Sequence, residues 1–294
     1  MKDPYEQVAC AGVDVHHKFS NVTFRSACGE VVRRERLDHL DRQRLRQRLE
    51  QWPKGLVTAL EASFGWAWLS DLMAEAGVKP HLSNCYKVEK MRKARGWDKT
   101  NRKDADLLST LALEKSNWWE VWLVPREIRD RRERMRFRAE LVGLQTQTKN
   151  RIHALFHRRG IFHEYSDLFG SAGRVFLEAL CRDGAGLLTG QALSVLRGQV
   201  RMLRQVRAEL ATVTRQLRGE LKVSPLVRRL KTIPGIGLIL AHVLVAEIGT
   251  MDRFAGSRKL ASYGLVAPRC SDSGEPDGSR APRGVTWASG ATGR

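Results

Sequence analysis

The first third of the chain changes its hydrophobic rhythm every ten residues or so. Val8 to Val13 is a continuous apolar run closed by Asp14, too short for a helix and too uniform for a half-exposed strand, which predicts a buried strand. Asn21 to Arg25 and Glu30 to Arg33 read as two further short strands, with Ala27-Cys28-Gly29 as the tight turn between them, so the chain opens as a meander. Leu40, Leu45 and Leu49 then recur at helical spacing through the polar stretch 38–51. Leu56 to Leu60 predicts a buried strand ending at Glu61, residues 66–76 a helix, Lys79 to Ser83 a strand and Asp104 to Leu113 a helix. Three hairpin strands followed by alternation predict an α/β layer around a mixed sheet.

The rhythm changes again at Pro125. Arginines 126, 129, 131, 132, 134, 136 and 138 crowd one stretch, and Phe137, Leu141, Leu144, Ile152 and Leu155 follow at helical spacing. Leu196, Leu203, Val206, Leu210, Val213 and Leu217 form a cleaner stripe, the seam of a short coiled coil. Two long helices thus flank a loop-rich segment, 160–190. Stripe and charge fit either an intramolecular hairpin or a dimerisation arm that carries arginine to a nucleic-acid backbone. Residues 230–268 form a third unit, in which Ile233-Pro-Gly235-Ile-Gly237 is a turn opening the apolar helix Leu238 to Ile248. Backbone N–H groups at Gly235 and Gly237 are placed to bind a phosphate, although an ordinary helix start has the same spacing.

Charge then indicates the partner. Fifty-one Lys and Arg against 32 Asp and Glu give a formal charge of +19, so the chain attracts a polyanion and releases its counterions on binding. DNA is the expected partner. No apolar stretch reaches the roughly 20 residues that span a bilayer, and the N-terminus lacks a secretory apolar region, which together point to a cytoplasmic protein with no membrane partner. Five scattered cysteines without metal-ligand spacing read as reduced structural thiols. A length of 294 residues implies at least two cores.

Asp14 and Glu61 close two predicted strands, and Asp104 opens a predicted helix. Strand ends gather carboxylates distant in sequence, and clustered oxygen ligands hold hard cations such as Mg²⁺. Two such ions about 3.5–4 Å apart stabilise both the attacking and the leaving oxygen of a phosphodiester. Taken singly, each carboxylate has a plainer reading, as a strand-end turn, a capping group or a helix N-cap. His16 and His17, close to Asp14, read as a surface loop pair.

Several of these segments, in order, carry a resemblance. Gly12-Val-Asp14, Leu60-Glu61-Ala-Ser-x-Gly65, Lys99-Thr-Asn101-Arg-Lys-Asp104-Ala105, and Ile233-Pro-Gly-Ile-Gly237 through Arg253-Phe254, Tyr263-Gly-Leu265, Pro268 and Ser273-Gly274 resemble the insertion sequence 110 family of DEDD transposases. The resemblance implies a RuvC-like, RNase H-type domain over residues 1–124, a helical coiled-coil connection over 125–222, and part of a C-terminal transposase domain over 223–274. It further implies a metal-dependent DNA recombinase with Asp14, Glu61, position 101 and Asp104 as Mg²⁺ ligands. Ser273 becomes the residue that links covalently to DNA. Structured guide RNA is a further partner in part of the family, and a homodimer through the coiled coil is expected.

Position 101 departs from the family. Its Asp is replaced by Asn101, which offers an amide oxygen at i−3 from Asp104 but no negative charge. Asp106 does not substitute, because at i+2 from Asp104 it faces away. Residues 275–294 have almost no apolar periodicity and read as a disordered, frameshifted or truncated end. The alternatives are a non-catalytic nucleic-acid-binding remnant and a RuvC-like junction nuclease using the same carboxylates without Ser273. Arg126, Arg129, Arg132 and Arg136 are the candidate phosphate contacts.

Overall fold

The computed structural model describes residues 4–96, 101–114 and 120–264. It divides into two compact units, Met1–Arg126 and Glu127–Arg294.

The first unit is built on six strands: β1 (Cys10–Val15), β2 (Phe19–Arg25), β3 (Val31–Asp38), β4 (Val57–Glu61), β5 (Lys79–Ser83) and β6 (Glu120–Val121). Their spatial order is β3-β2-β1-β4-β5-β6. The opening meander is antiparallel, β1, β4 and β5 are parallel, and β6 returns antiparallel to β5. Four helices cover this mixed sheet: α1 (Arg42–Glu50), α2 (Trp66–Glu75), α3 (Cys85–Ala94) and α4 (Asn101–Glu114). Leu45 and Leu49 of α1 and Leu69 and Met73 of α2 join Val13, Phe24, Leu60 and Leu82 in one core, where Trp52 meets Phe24 edge to face. On the other face, Val88 of α3 and Leu107, Leu108 and Leu111 of α4 pack on Cys10 and Ala59. Every residue of β1 is buried because helices cover both of its faces.

The expected elements form, with three informative differences. The last strand of the meander runs on to Asp38 rather than ending at Arg33. As an edge strand it keeps a mostly polar sequence, so alternation fades although the ladder to β2 continues. Asp104 does not open its helix; α4 begins three residues earlier, at Asn101. Helix α3 carries only Val88 and Arg92 as buried residues, too few to show an apolar period.

In the second unit, α5 (Arg126–Arg158) and α7 (Gly190–Glu220) are the two long helices. The loop-rich segment between them contains α6 (Ser171–Asp183), whose N-cap is Gly170 and carries no side-chain capping signal. Ile152, Leu155 and Phe156 at the end of α5 share a core with Leu177 and Leu180 of α6 and with Leu196, Val200 and Leu203 of α7. Met135 and Leu141 near the start of α5 meet Val213 and Leu217 near the end of α7, together with Ala246. The helices are therefore antiparallel, and the leucine stripe is filled within the chain. Helices α8 (Pro225–Leu230), α9 (Leu238–Ile248) and α10 (Ser257–Tyr263) complete the unit. Cys10, Cys28, Cys85 and Cys181 are free thiols. Among the described residues no helix is long and apolar enough to cross a membrane.

One contact fixes α4 on the sheet. A Cβ at Gly12 would stand 2.1 Å from the Ser109 nitrogen and 2.3 Å from the Ala105 oxygen, so the helix backbone lies directly on β1. Those are backbone atoms and cannot swing aside. Gly12→Ala is expected to destabilise the first unit by about 3 kcal/mol or more, the upper end of overpacking costs, read from denaturant unfolding. A loss under about 0.5 kcal/mol would contradict this approach.

Candidate active site

Asp14 and Glu61 lie at the neighbouring ends of adjacent parallel strands. The β1–β4 register runs to Val13↔Leu60, so these two carboxylates are the next residues on each strand. Gly12 and Ala59 face α4 and α3, and the pleat turns Asp14 and Glu61, two residues later, to the same face. Helix α4 runs antiparallel to β1: Ser109 accepts from the Cys10 thiol at 3.5 Å, while Ala105 lies over Gly12. Its first turn, with Asn101 and Asp104, thus lies toward the sheet end that carries Asp14 and Glu61.

Each carboxylate has a partner from the chain. His16 Nε2 lies 2.8 Å from Asp14 Oδ2, and Asp14 is only 8% exposed. The Cys85 thiol hydrogen-bonds Glu61; burial first, then the carboxylate's charge and that hydrogen bond, push the thiol up to about 11. Cys85 is therefore a protonated donor at neutral pH, not a nucleophile. Asp104 Oδ1 lies 4.0 Å from Nε of Arg92, a buried guanidinium that also donates to Glu89 at 3.0 Å. With side chains in these positions, no group of three or more His, Cys, Asp or Glu among the described residues is gathered for a metal ion. The donor set is nevertheless the all-oxygen kind that hard cations take. Asp14, Glu61 and the first turn of α4 lie toward one end of the sheet, and the set fits a divalent cation by its donor chemistry.

Sequence reasoning missed the role of Asp106. It does face away from Asp104, and its carboxylate accepts from Thr23 Oγ1 at 2.7 Å and from Arg34 Nε and Nη2 at 3.1 and 3.0 Å. Arg25 adds bonds to Ser109 Oγ at 2.8 Å and to the Asp106 carbonyl at 3.3 Å. Burial alone would raise the Asp106 carboxyl, but Arg34, Thr23 and Arg25 together hold it below the usual carboxylate range. This polar latch ties α4 to β2 and β3. The one signal in the sequence was a second acid two residues after Asp104, on the opposite helical face.

Residues 11–159, over half of the chain, match a family model described as Transposase, of the DEDD insertion sequence 110 type. Residues 227–286 match one described as the transposase IS116/IS110/IS902 family. The chain belongs to this transposase family. Its first unit is accordingly an RNase H-like α/β domain. The second match runs past Gly274, where the sequence reading ends the resemblance. No curated protein matches the chain.

In the second unit of this transposase, the arginine-rich start of α5 divides in two. Arg132 donates to the Ala246 and Glu247 carbonyls, both at 2.8 Å, and Arg136 grips the Glu247 carboxylate with two bonds of 3.0 Å. Both cap the C-terminal end of α9, where exposed carbonyls favour a cation. Arg134 pairs with Glu220, and Arg138 donates to Thr214. Arg126 and Arg129 lie in the first turn of the same helix. Gly235 has φ +85° and Gly237 caps α9 without a side-chain bond; a Cβ at either would meet nothing within 4 Å. Ser273 and the 275–294 tail lie outside the described residues, as do Trp118 and Trp119.

Removing the Arg132 strut is expected to cost about 2 kcal/mol, the range for hydrogen bonds from a charged donor. Arg126→Ala should stay within about 0.5 kcal/mol, as for an ordinary surface change. Denaturant unfolding of the two variants checks this, and equal losses would contradict the division of the arginines.

Proposed function

We propose that this transposase cleaves DNA at a divalent-metal site formed by Asp14, Glu61 and Asp104, with the Asn101 amide as a neutral fourth donor. One observation supports the reading: two carboxylates lie at the ends of neighbouring strands on the face covered by α4, and the first turn of α4, which holds Asp104, runs toward that end. Mg²⁺, when bound, supplies Lewis-acid stabilisation of charge on the phosphodiester oxygens. The chain's own residues do the rest. Asp14, Glu61 and Asp104 hold and orient the site, and Arg92 balances negative charge beside Asp104. His16 lies against Asp14 and the Cys85 thiol donates to Glu61, so both acids have neighbours within the chain before substrate arrives.

Residues 1–124 are then the catalytic domain and 125–222 the helical connection. Residues 223–274 belong to the C-terminal transposase domain, which supplies Ser273 for a covalent link to DNA. Arg126 and Arg129, with the open amides at Gly235 and Gly237, are the proposed backbone contacts of the second unit. Arg132 and Arg136 act through the placement of α9. A homodimer would use faces other than the filled leucine seam, and a structured guide RNA would share the basic surface, in the cytoplasm.

A second reading is a binding-competent but non-catalytic remnant. It is favoured by Asn101, which brings no charge, and by the partners that already hold each carboxylate. Cleavage of insertion-sequence-end DNA by the full chain, with Mg²⁺ and with a chelator, separates the two. Metal-dependent cleavage is expected, with Asp14→Asn, Glu61→Gln and Asp104→Asn each losing on the order of a hundredfold or more while DNA binding is retained. Binding without cleavage at any Mg²⁺ concentration would establish the remnant. Asn101→Asp should tighten Mg²⁺ binding in calorimetry, and unchanged affinity would exclude position 101 from the ligand set.

A further inference from the structure

The sheet face that carries Asp14 continues outward beyond the carboxylates. Asp14 pairs with Asn21 on β2, and Asn21 pairs with Arg36 on β3, so the three residues form one row across three strands. Residues opposite one another across a ladder point to the same face. At about 4.8 Å per strand, the Arg36 backbone lies about 10 Å from that of Asp14. An open cleft lies along this row, lined by Asn21, Thr23, Arg34, Arg36 and Ala105 of α4.

The charges around the cleft are unequal in availability. Arg34 is tied to Asp106. Glu35 also borders the cleft, but its carboxylate is held by Arg48 at 2.8 and 3.1 Å, by Arg33 at 2.6 Å and by the Tyr5 hydroxyl at 2.7 Å. Asp38, the next residue on the Arg36 side of β3, accepts from the Leu40 amide at 2.8 Å. Arg36 is exposed, and among the described residues no carboxylate lies within ion-pair distance of it. Its guanidinium rests on the Phe19 ring, 3.9 Å from the centroid. A ring beneath a guanidinium fixes its position without neutralising it, and leaves its N–H fork for a phosphate.

We infer that Arg36, with Asn21 beside it, binds the backbone of the DNA strand whose phosphate sits at Asp14. The inference rests on the proposed function, which it extends with a substrate-binding site in the first unit. A row of this length reaches a neighbouring phosphate of the strand whose scissile phosphate sits at Asp14. The proximity to the carboxylates favours the substrate DNA over an RNA partner.

The test is a salt titration of binding to a DNA duplex and to a structured RNA, using the full chain and three variants. Arg36→Ala should weaken DNA binding several-fold at low salt and reduce the slope of log affinity against log salt by about 0.9, the value for one lost phosphate contact. Arg36→Lys keeps the charge and should restore most of that slope. Arg46→Ala, on α1 across the sheet and paired with Glu50 and Glu75, should match the unchanged chain. An Arg36→Ala slope equal to that of Arg46→Ala would overturn the inference while leaving metal-dependent cleavage intact. Weakening confined to the RNA would overturn it as well. Failure of the unchanged chain to bind DNA would overturn both this inference and the proposed function.

Discussion

At Gly12, helix α4 lies on β1 with no side chain between them, and the candidate chemistry depends on that approach. Gly12 permits it by lacking a Cβ. Buried apolar contacts from Leu107, Leu108 and Leu111 supply the cohesion. A greasy interface of this kind resists separation more than sliding, and sliding by one residue would turn Asp104 away from the sheet end. The Asp106 bonds to Thr23 and Arg34 give the interface its register, because paired charged donors tolerate little displacement. Hydrophobic burial thus holds the helix, and a polar latch on its other flank sets where its first turn lies.

A formal charge of +19 overstates how much of this protein is free to meet a polyanion. Arg25, Arg34, Arg48 and Arg92 cross-link elements of the first unit, and Arg132 and Arg136 close the end of α9 in the second. Guanidinium suits that work because its fixed fork satisfies two acceptors at once. Arg36, resting on the Phe19 ring, differs from the carboxylate-bound Arg34 only by one step along the same strand face.

Much of the fold was legible because it rests on runs of buried residues. The strand ending at Asp14, the strand ending at Glu61 and the helix Leu238 to Ile248 all announce themselves by apolar length. The ordered motifs likewise pointed to the transposase family. What the sequence hid is of another kind. The extension of β3 through Arg34 and Arg36 buries only Leu37, α3 has two buried residues, and α6 is capped by a glycine without a side-chain bond. The leucine stripe on α7 was readable, but the identity of its partner was not, since a seam looks the same whether α5 or a second chain fills it. The arginines of α5 were equally undivided, because Glu247 is more than a hundred residues away in sequence. Long-range pairing decides such roles, and local spacing carries no record of it.

In the proposed reaction Asp14, Glu61 and Asp104 leave their resting partners for one divalent-cation site. Anomalous diffraction from crystals of the full chain soaked in Mn²⁺, a stand-in for Mg²⁺, tests it most directly. A peak is expected at about 2.0–2.2 Å from oxygens of Asp14, Glu61 and Asp104, with Cys85 and Arg92 turned aside. Peaks elsewhere only, or the three carboxylates still facing His16, Cys85 and Arg92 at saturating Mn²⁺, would contradict it.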